Sequence, residues 1–149
     1  MDIVSLRFDI LAITARDSKY VIMTENEISK VVLDLSIKIH KILGPGLLES
    51  AYEDCLEYEL KKVGLHVRRQ VLIPLIYDGV TLGDGFRADL IVNDKVLVEL
   101  KSVKDLQDIH YAQTITYLKL TGLKLGLLIN FNCMQVSKQF KRVVNGLNE

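Results

Sequence analysis

Two acids and one lysine interrupt otherwise apolar segments of this 149-residue chain. Residues 96–101, VLVELK, have the composition of a core strand, and the alternation of side chains along a strand places Glu99 and Lys101 on one face. Asp89 interrupts the preceding apolar segment, residues 86–92. Charged groups on such strands need a partner or a function, because an unpaired buried charge is costly. Neighbouring carboxylates are suited to Mg²⁺, which keeps several waters and binds substrate phosphates.

An acid and a lysine separated by one residue are a weak signal alone, because chance gives roughly one or two such pairs in a chain of this composition. The chain contains three, at residues 17–19, 59–61 and 99–101. The first falls in an irregular stretch, and the second falls on a predicted helix, where it is typical of a solvated face. Only the third lies on a predicted core strand.

The connection between the two strands decides whether the acids can act together. If residues 93–95 form the loop, Val92 lies opposite Val96, and Asp89 lies directly opposite Glu99, with Cβ atoms about 5 Å apart. Two like charges so placed repel each other, and a divalent cation between them reverses the sign of that interaction. A two-residue turn at 93–94 without a bulge would instead place the acids on opposite faces.

Two structural readings compete with a metal site. Lys101 could form a buried ion pair with Asp89 or with Glu99, or this face of the sheet could simply be exposed to water. Either arrangement would account for the charges without any chemistry.

The elements that must position these residues follow from caps, breakers and periodicity. Thr24 and Glu27 form a capping-box pattern at the start of a helix, and residues 44–46, Gly-Pro-Gly, end it. Apolar residues at helical or strand spacing predict the remaining elements. They are a helix over 47–63, antiparallel strands over 67–77, 86–92 and 96–102, a helix over 106–121, a strand over 125–131 buried on both faces, and a final amphipathic helix carrying Val136, Phe140, Val143 and Val144.

The order of these elements predicts one α/β domain with a central mixed sheet. We expect it to span residues 23–149, because residues 1–22 show no sustained period and form an N-terminal extension or a misplaced start. The alternative is an N-terminal strand or helix that packs on the core.

Composition excludes several classes of protein. Nineteen basic and nineteen acidic residues cancel, which excludes a globally cationic nucleic-acid binder but not a local basic face. The hydrophobic content of 49% excludes a disordered chain. No apolar run reaches the roughly 18 to 20 residues of a membrane helix. Cys55 and Cys133 have no partners at zinc-ligand spacing and are expected to be reduced and buried, so a cytoplasmic location is the default.

These motifs together resemble the PD-(D/E)XK nuclease superfamily, and within it the bacterial GxxExxY proteins. Residues 46–52, GLLESAY, match the naming motif, and Asp89 matches the superfamily's metal-binding aspartate. Residues 99–101 match the (D/E)XK element, and Gln113 and Tyr117 resemble the QxxxY motif on the following helix. One departure is Ala88, which stands where the superfamily motif has proline. The resemblance covers nearly everything from Met23 onward.

The resemblance implies a restriction-endonuclease-like core, made of a helix, a three-stranded antiparallel meander, a helix and a further strand, with an extra N-terminal helix. It implies a nuclease in which Asp89, Glu99 and Glu49 hold Mg²⁺, for which Mn²⁺ can substitute. Lys101 would orient or deprotonate the attacking water, or neutralise the pentacovalent phosphate. DNA is the expected substrate, no membrane is involved, and cleavage of both strands would favour a homodimer. The alternative function is a non-catalytic module that binds nucleic acid or protein.

Several other residues are candidates for supporting roles. Gln113 and Tyr117 share a helix face with His110 and could position a phosphate or a metal-bound water, or could simply be polar residues at a helix–sheet interface. Tyr52 is expected to be a core residue or to orient Glu49. Candidates for contacts with a nucleic-acid backbone are Arg68, Arg69, Lys138, Lys141 and Arg142.

Overall fold

A five-stranded mixed sheet lies between three helices in the computed structural model, which describes residues 22–83 and 85–148. The helices are α1 (Glu25–Leu43), α2 (Glu49–Lys62) and α3 (Asp108–Thr121). The strands are β1 (Val67–Ile73), β2 (Ile76–Tyr77), β3 (Val80–Thr81), β4 (Phe86–Val92), β5 (Val96–Lys101), β6 (Leu125–Asn130) and β7 (Phe140–Val144). The predicted α/β class with a central mixed sheet is confirmed.

The sheet has the strand order β1-β4-β5-β6-β7. The three strands β1, β4 and β5 form an antiparallel meander, as the sequence predicts. After β5 the chain crosses through α3, and β6 then pairs with β5 in parallel. This arrangement puts the two acid-bearing strands, β4 and β5, at the centre of the sheet.

Two apolar layers cover the two faces of the sheet. On one face, α1 and α2 pack against a cluster that includes Leu90, Val98 and Leu127. On the other face, α3 packs against a smaller cluster that includes Ile91 and Leu97. The β6 strand is buried along its whole length, because it is covered by helices on both sides, as its continuous apolar run predicts.

The first helix begins and ends where its sequence signals predict. The Glu27 backbone N–H donates to Thr24 Oγ1 at 3.2 Å, and the Thr24 backbone N–H donates back to Glu27 Oε2 at 2.9 Å. The helix ends at Gly44, which has a φ of 71° and whose N–H donates to the His40 carbonyl. Glycine reaches this conformation without the steric cost that a Cβ imposes.

The predicted final helix is wrong. Val136–Gln139 form a short 3-10 turn, and Phe140–Val144 form β7, which pairs with β6 in antiparallel fashion. Phe140 packs with the α1 and α2 layer, whereas Val143 packs with the α3 layer. Residues three apart share a helix face but lie on opposite faces of a strand, so the same spacing suits either element. The strand prevails because it supplies hydrogen-bond partners along an edge of β6 that would otherwise be unpaired.

Two further sequence expectations change in detail. The predicted strand over 67–77 divides at Pro74, and residues beyond it form the separate β2-β3 hairpin. Both cysteines are free, as expected, but Cys55 and Cys133 are half-buried and not fully buried. The predicted N-terminal extension lies outside the described residues except for Ile22. Across the described part of the chain, no helix combines the length and apolar character needed to cross a membrane.

Candidate active site

The register of β4 and β5 places the two predicted acids opposite each other. Asn93 and Asp94 adopt positive φ values of 51° and 52°, and the three-residue loop pairs Val92 with Val96. Continuing this register brings Asp89 opposite Glu99, as the three-residue loop predicts. The alternative two-residue turn, which would have separated the acids, is not formed.

The two acids replace regular strand pairing at this point in the sheet. The backbones of β4 and β5 pair from Val92, opposite Val96, to Leu90, opposite Val98. Beyond it, the Leu100 backbone N–H donates to Asp89 Oδ2 at 2.8 Å, and the Asp89 backbone N–H donates to Glu99 Oε1 at 3.2 Å. Each carboxylate is therefore held by the backbone and aimed at the junction between the strands.

Burial and mutual repulsion make these acids unusual. Burial raises the pKa of Glu99 to about 8, and the neighbouring Asp89 charge adds to the rise. The pKa of Asp89 is also raised, mainly by burial and further by Glu53 and Glu49, against the hydrogen bond from Leu100. Two carboxylates in such surroundings are stabilised either by a proton or by a cation.

Lys101 lies beside the acids without forming an ion pair with them. It is half-buried at the end of β5, and its charge lowers the pKa of both Asp89 and Glu99. Within the described residues, no carboxylate lies at ion-pair distance from its ammonium group. The competing reading of a buried salt bridge is therefore wrong, and the reading of an exposed face is also wrong because Glu99 is only 6% exposed.

Glu49 reaches the same region from the first turn of α2. Its Oε1 accepts a hydrogen bond from the Ser102 backbone N–H at 3.3 Å, and Ser102 Oγ donates to the Leu47 carbonyl at 2.7 Å. Glu49 and Asp89 line one open cleft of about 600 Å³. The structure thus brings Glu49, Asp89, Glu99 and Lys101 into one neighbourhood.

Tyr52 has a structural role that supports Glu49. Its side chain is fully buried and stacks on Phe131 with ring centroids 4.4 Å apart. The Tyr52 hydroxyl donates to the Gly44 carbonyl at 2.6 Å and accepts from the Leu47 backbone N–H at 3.2 Å. Tyr52 thereby ties together the loop that leads to Glu49, as the sequence analysis expects for a core or orienting residue.

Of the three polar residues predicted on one face of α3, Tyr117 interacts electrostatically with the acids. Burial raises the pKa of Tyr117, and the charges of Glu99 and Asp89 raise it further. Gln113 is exposed one turn earlier. His110 is occupied elsewhere, because its Nδ1 accepts a hydrogen bond from the Gln107 backbone N–H at 2.9 Å and so caps the helix.

Gly126 sets how closely α3 approaches the sheet. A Cβ at this position would lie 2.7 Å from Thr114 Cγ2, which is closer than such atoms come in real proteins. Thr114 is accordingly buried against β6. Because Gly126 has no Cβ, α3 can pack closely against β6, and this close packing brings Tyr117 toward Glu99.

Known proteins share features of this sequence and fold. The sequence model of the PD-(D/E)XK nuclease superfamily matches residues 26–143. This chain belongs to the PD-(D/E)XK nuclease superfamily. A crystal structure of SSO0001 is similar, with 16% sequence identity and a TM-score of 0.44 over 99% of this chain and 80% of that chain. Comparison with curated protein sequences finds no match.

Superfamily membership raises the question whether these residues fit a divalent metal ion. Asp89, Glu99 and Glu49 offer the oxygen ligands that Mg²⁺ prefers, and a cation would offset the burial and the like-charge repulsion that raise the pKa of Asp89 and Glu99. The donor chemistry therefore fits. Within residues 22–83 and 85–148, no three His, Cys, Asp or Glu side chains are already grouped closely enough to hold a metal ion.

Two polar neighbours of the acids belong to no motif: helical spacing places Glu53 on the same face as Glu49, whereas sequence reasoning missed Gln70. Glu53, one turn after Glu49, is only 5% exposed, and Gln70 on β1 donates through its side-chain amide to both Glu53 and Asp89. The i, i+4 spacing of Glu49 and Glu53 was the available signal for the first. No sequence signal identifies Gln70, because its position depends on a backbone conformation that glutamine rarely adopts.

The residues predicted to contact nucleic acid lie on β1, on the 3-10 turn and on β7. Arg68 pairs with Asp94 at 2.9 Å, and Arg69 pairs with Glu53 at 2.9 Å, so both arginines already have acidic partners within the fold. Lys138 lies on the 3-10 turn, and Lys141 and Arg142 lie on β7, so none of the three is on a helix of the predicted kind.

Proposed function

We propose that this superfamily member is a Mg²⁺-dependent nuclease that hydrolyses phosphodiester bonds in DNA. The observation that carries the proposal is the placement of Asp89 opposite Glu99, with Lys101 beside them and not paired to either acid. Membership of a nuclease superfamily supports the reaction type. The choice of DNA and of Mg²⁺ is our own inference from the resemblance and the oxygen donors.

Asp89, Glu99 and Glu49 would hold the metal ion. Such an ion lowers the pKa of a bound water and offsets charge on the phosphate. In the hydrolysis, the water oxygen bonds to phosphorus, the bond from phosphorus to the leaving sugar oxygen breaks, and that oxygen takes a proton. Lys101 would orient or deprotonate the attacking water, or neutralise the pentacovalent phosphate.

The test is DNA cleavage by purified protein with Mg²⁺ or Mn²⁺. We expect Asp89→Ala and Lys101→Ala to lower the cleavage rate by about 100-fold or more. Lys61→Ala is the matched control, because Glu59 and Lys61 repeat the acid-x-lysine pattern on α2, and Lys61 is half exposed beside Glu57. Activity that persists in both active-site variants would show a contaminant and overturn the proposal.

Three narrower parts of the proposal have their own support. The spacing of Gly46, Glu49 and Tyr52 supports the GxxExxY group, and Tyr52 does hold the loop before Glu49. A homodimer would place two copies of this site on the two strands of a duplex, and sedimentation with and without DNA tests it. Calorimetry with Mn²⁺ bears on the alternative of a non-catalytic binding module, because heat that Glu99→Ala abolishes supports the nuclease.

A further inference from the structure

Two consecutive residues of β1 reach the same carboxylate oxygen. Arg69 Nε donates to Glu53 Oε1 at 2.9 Å, and Gln70 Nε2 donates to the same atom at 2.8 Å. Neighbouring residues of a regular strand point to opposite faces, so one of them must leave the regular conformation. Gln70 does so, with a φ of 50° inside the strand.

The departure at Gln70 occurs directly across from Asp89. Arg69 pairs with Leu90 and Val71 pairs with Ala88, so the register places Gln70 opposite Asp89 between these pairs. Gln70 Nε2 also donates to Asp89 Oδ1 at 3.3 Å. One side-chain amide therefore bridges a buried acid of α2 and the predicted metal ligand of β4.

The chemistry of the two acceptors settles which end of the amide faces them. Both Glu53 Oε1 and Asp89 Oδ1 are carboxylate oxygens and can only accept when ionised. The NH₂ group has two protons, one for each acid, whereas the amide oxygen in its place would repel both. The orientation of Gln70 is thus fixed by its neighbours.

Glu53 anchors this arrangement. Its side chain is almost fully buried, and the Arg69 guanidinium compensates its charge. A left-handed backbone at a non-glycine residue is strained and persists only where surrounding contacts compensate for it. The contacts that hold Gln70 in this conformation are its hydrogen bonds to Glu53 and Asp89. A direct contact with the predicted metal ligand is unexpected for a residue with a purely structural role.

We propose that Gln70 is a positioning residue that fixes the Asp89 carboxylate for binding a divalent cation. The role rests on the proposed nuclease function, since Asp89 is taken as a metal ligand there. The Gln70 amide is a neutral donor, so a cation can displace it from Asp89 Oδ1. The Leu100 backbone N–H meanwhile stays hydrogen-bonded to Asp89 Oδ2. It acts through Asp89 and does not itself touch the reacting atoms.

Two variants separate the effect of the Gln70 amide from the effect of the Gln70 backbone conformation. Gln70→Gly removes the amide and accepts the positive φ without strain, which offsets part of the loss of the hydrogen bond to Glu53. Gln70→Met keeps the side-chain length and removes both donors. The matched control is Gln135→Met, which makes the same change at an exposed position before the 3-10 turn.

We expect both Gln70 variants to lower kcat for DNA cleavage by about 10- to 100-fold, the usual effect of removing a group that orients a metal ligand. The KM for DNA should be unchanged, because in the proposed role Gln70 acts through Asp89. Calorimetry with Mn²⁺ alone, without DNA, should show affinity weakened by about tenfold or more in both variants and unchanged in Gln135→Met.

The outcomes distinguish this inference from the proposed function. A parent protein that cleaves DNA, with Gln70→Gly and Gln70→Met retaining its kcat and Mn²⁺ affinity, overturns the positioning role and leaves the nuclease intact. A parent protein that cleaves nothing, yet binds Mn²⁺ about tenfold more tightly than both Gln70 variants, overturns the nuclease and supports the positioning role.

Discussion

Asp89 and Glu99 exchange hydrogen bonds with each other's strands where the backbone pairing of β4 with β5 stops. The Asp89 N–H binds the Glu99 carboxylate, and the Asp89 carboxylate binds the N–H of Leu100, the residue after Glu99. The acids therefore hold the sheet together at the same point at which they repel each other. The stability of the protein should therefore depend on pH and on the presence of metal ions.

The first prediction concerns the pH dependence of stability in metal-free protein. The pKa of Glu99 is about 8 in the fold, against an ordinary value of 4.5, because of burial and the charge of Asp89, with Lys101 opposing and Glu49 reinforcing the shift. Between these values the folded state binds more protons than the unfolded state, so the free energy of unfolding falls as pH rises. Glu99→Gln should remove most of this fall, on the order of a few kcal/mol.

Urea denaturation in the presence of a chelator, at several pH values between about 5 and 9, measures this effect. The variant should be more stable than the parent at the alkaline end and similar to it at the acid end. Parallel curves for the two proteins across the range would contradict a raised pKa at Glu99.

The second prediction concerns metal ions and thermal stability. A cation between the acids would bind the folded state only, so Mg²⁺ or Mn²⁺ should raise the melting temperature at pH 8. The gain corresponds to about 2.7 kcal/mol when the ion is present at 100 times its Kd. Asp89→Ala should abolish the shift, and Lys61→Ala should keep it. An equal shift in Asp89→Ala would mean that the ions bind elsewhere.

The third prediction concerns Tyr52. Tyr52→Phe keeps the stacking on Phe131 and removes the hydroxyl that joins Gly44 to Leu47. We expect a stability loss of about 0.5 to 1.5 kcal/mol, because the two hydrogen bonds of the hydroxyl are lost at a partly exposed loop. Cleavage activity should fall with it, since the loop before Glu49 is released.

Chemical denaturation and cleavage assays at a temperature where the variant is fully folded separate these two effects. Tyr58→Phe is the control, because Tyr58 is 63% exposed on the same helix. Full activity in folded Tyr52→Phe would show that the loop needs no hydroxyl to place Glu49.

The fourth prediction concerns the contact between α3 and β6. Gly126→Ala inserts a Cβ 2.7 Å from Thr114 Cγ2, and such overpacking costs about 1 to 3 kcal/mol. Moving α3 would also move Tyr117 away from the acids. Thr114→Ser removes the clashing methyl group and retains the hydroxyl that donates to the His110 carbonyl.

The double variant Gly126→Ala/Thr114→Ser should therefore recover stability relative to Gly126→Ala alone, as measured by melting temperature. A double variant no more stable than the single one would place the strain somewhere other than this contact.

Asp89, Glu99 and Lys101 could be predicted from the sequence because local rules determine them, whereas Glu49 followed from the family resemblance. A charge on an apolar strand is visible without coordinates, and the length of the 93–95 loop determines which residues of β4 and β5 lie opposite each other. Caps and breakers likewise predicted α1, whose ends depend on neighbours only a few residues away.

Long-range pairing decided the rest. The segment 140–144 has a spacing that suits a helix, and it became a strand because the edge of β6 needed hydrogen bonds. The separation of Lys101 from Asp89 and Glu99 and the bridge from Gln70 to Glu53 and Asp89 depend on several elements meeting in space. A backbone conformation that glutamine adopts only when distant groups compensate for it has no local signature, so only the tertiary structure could reveal it.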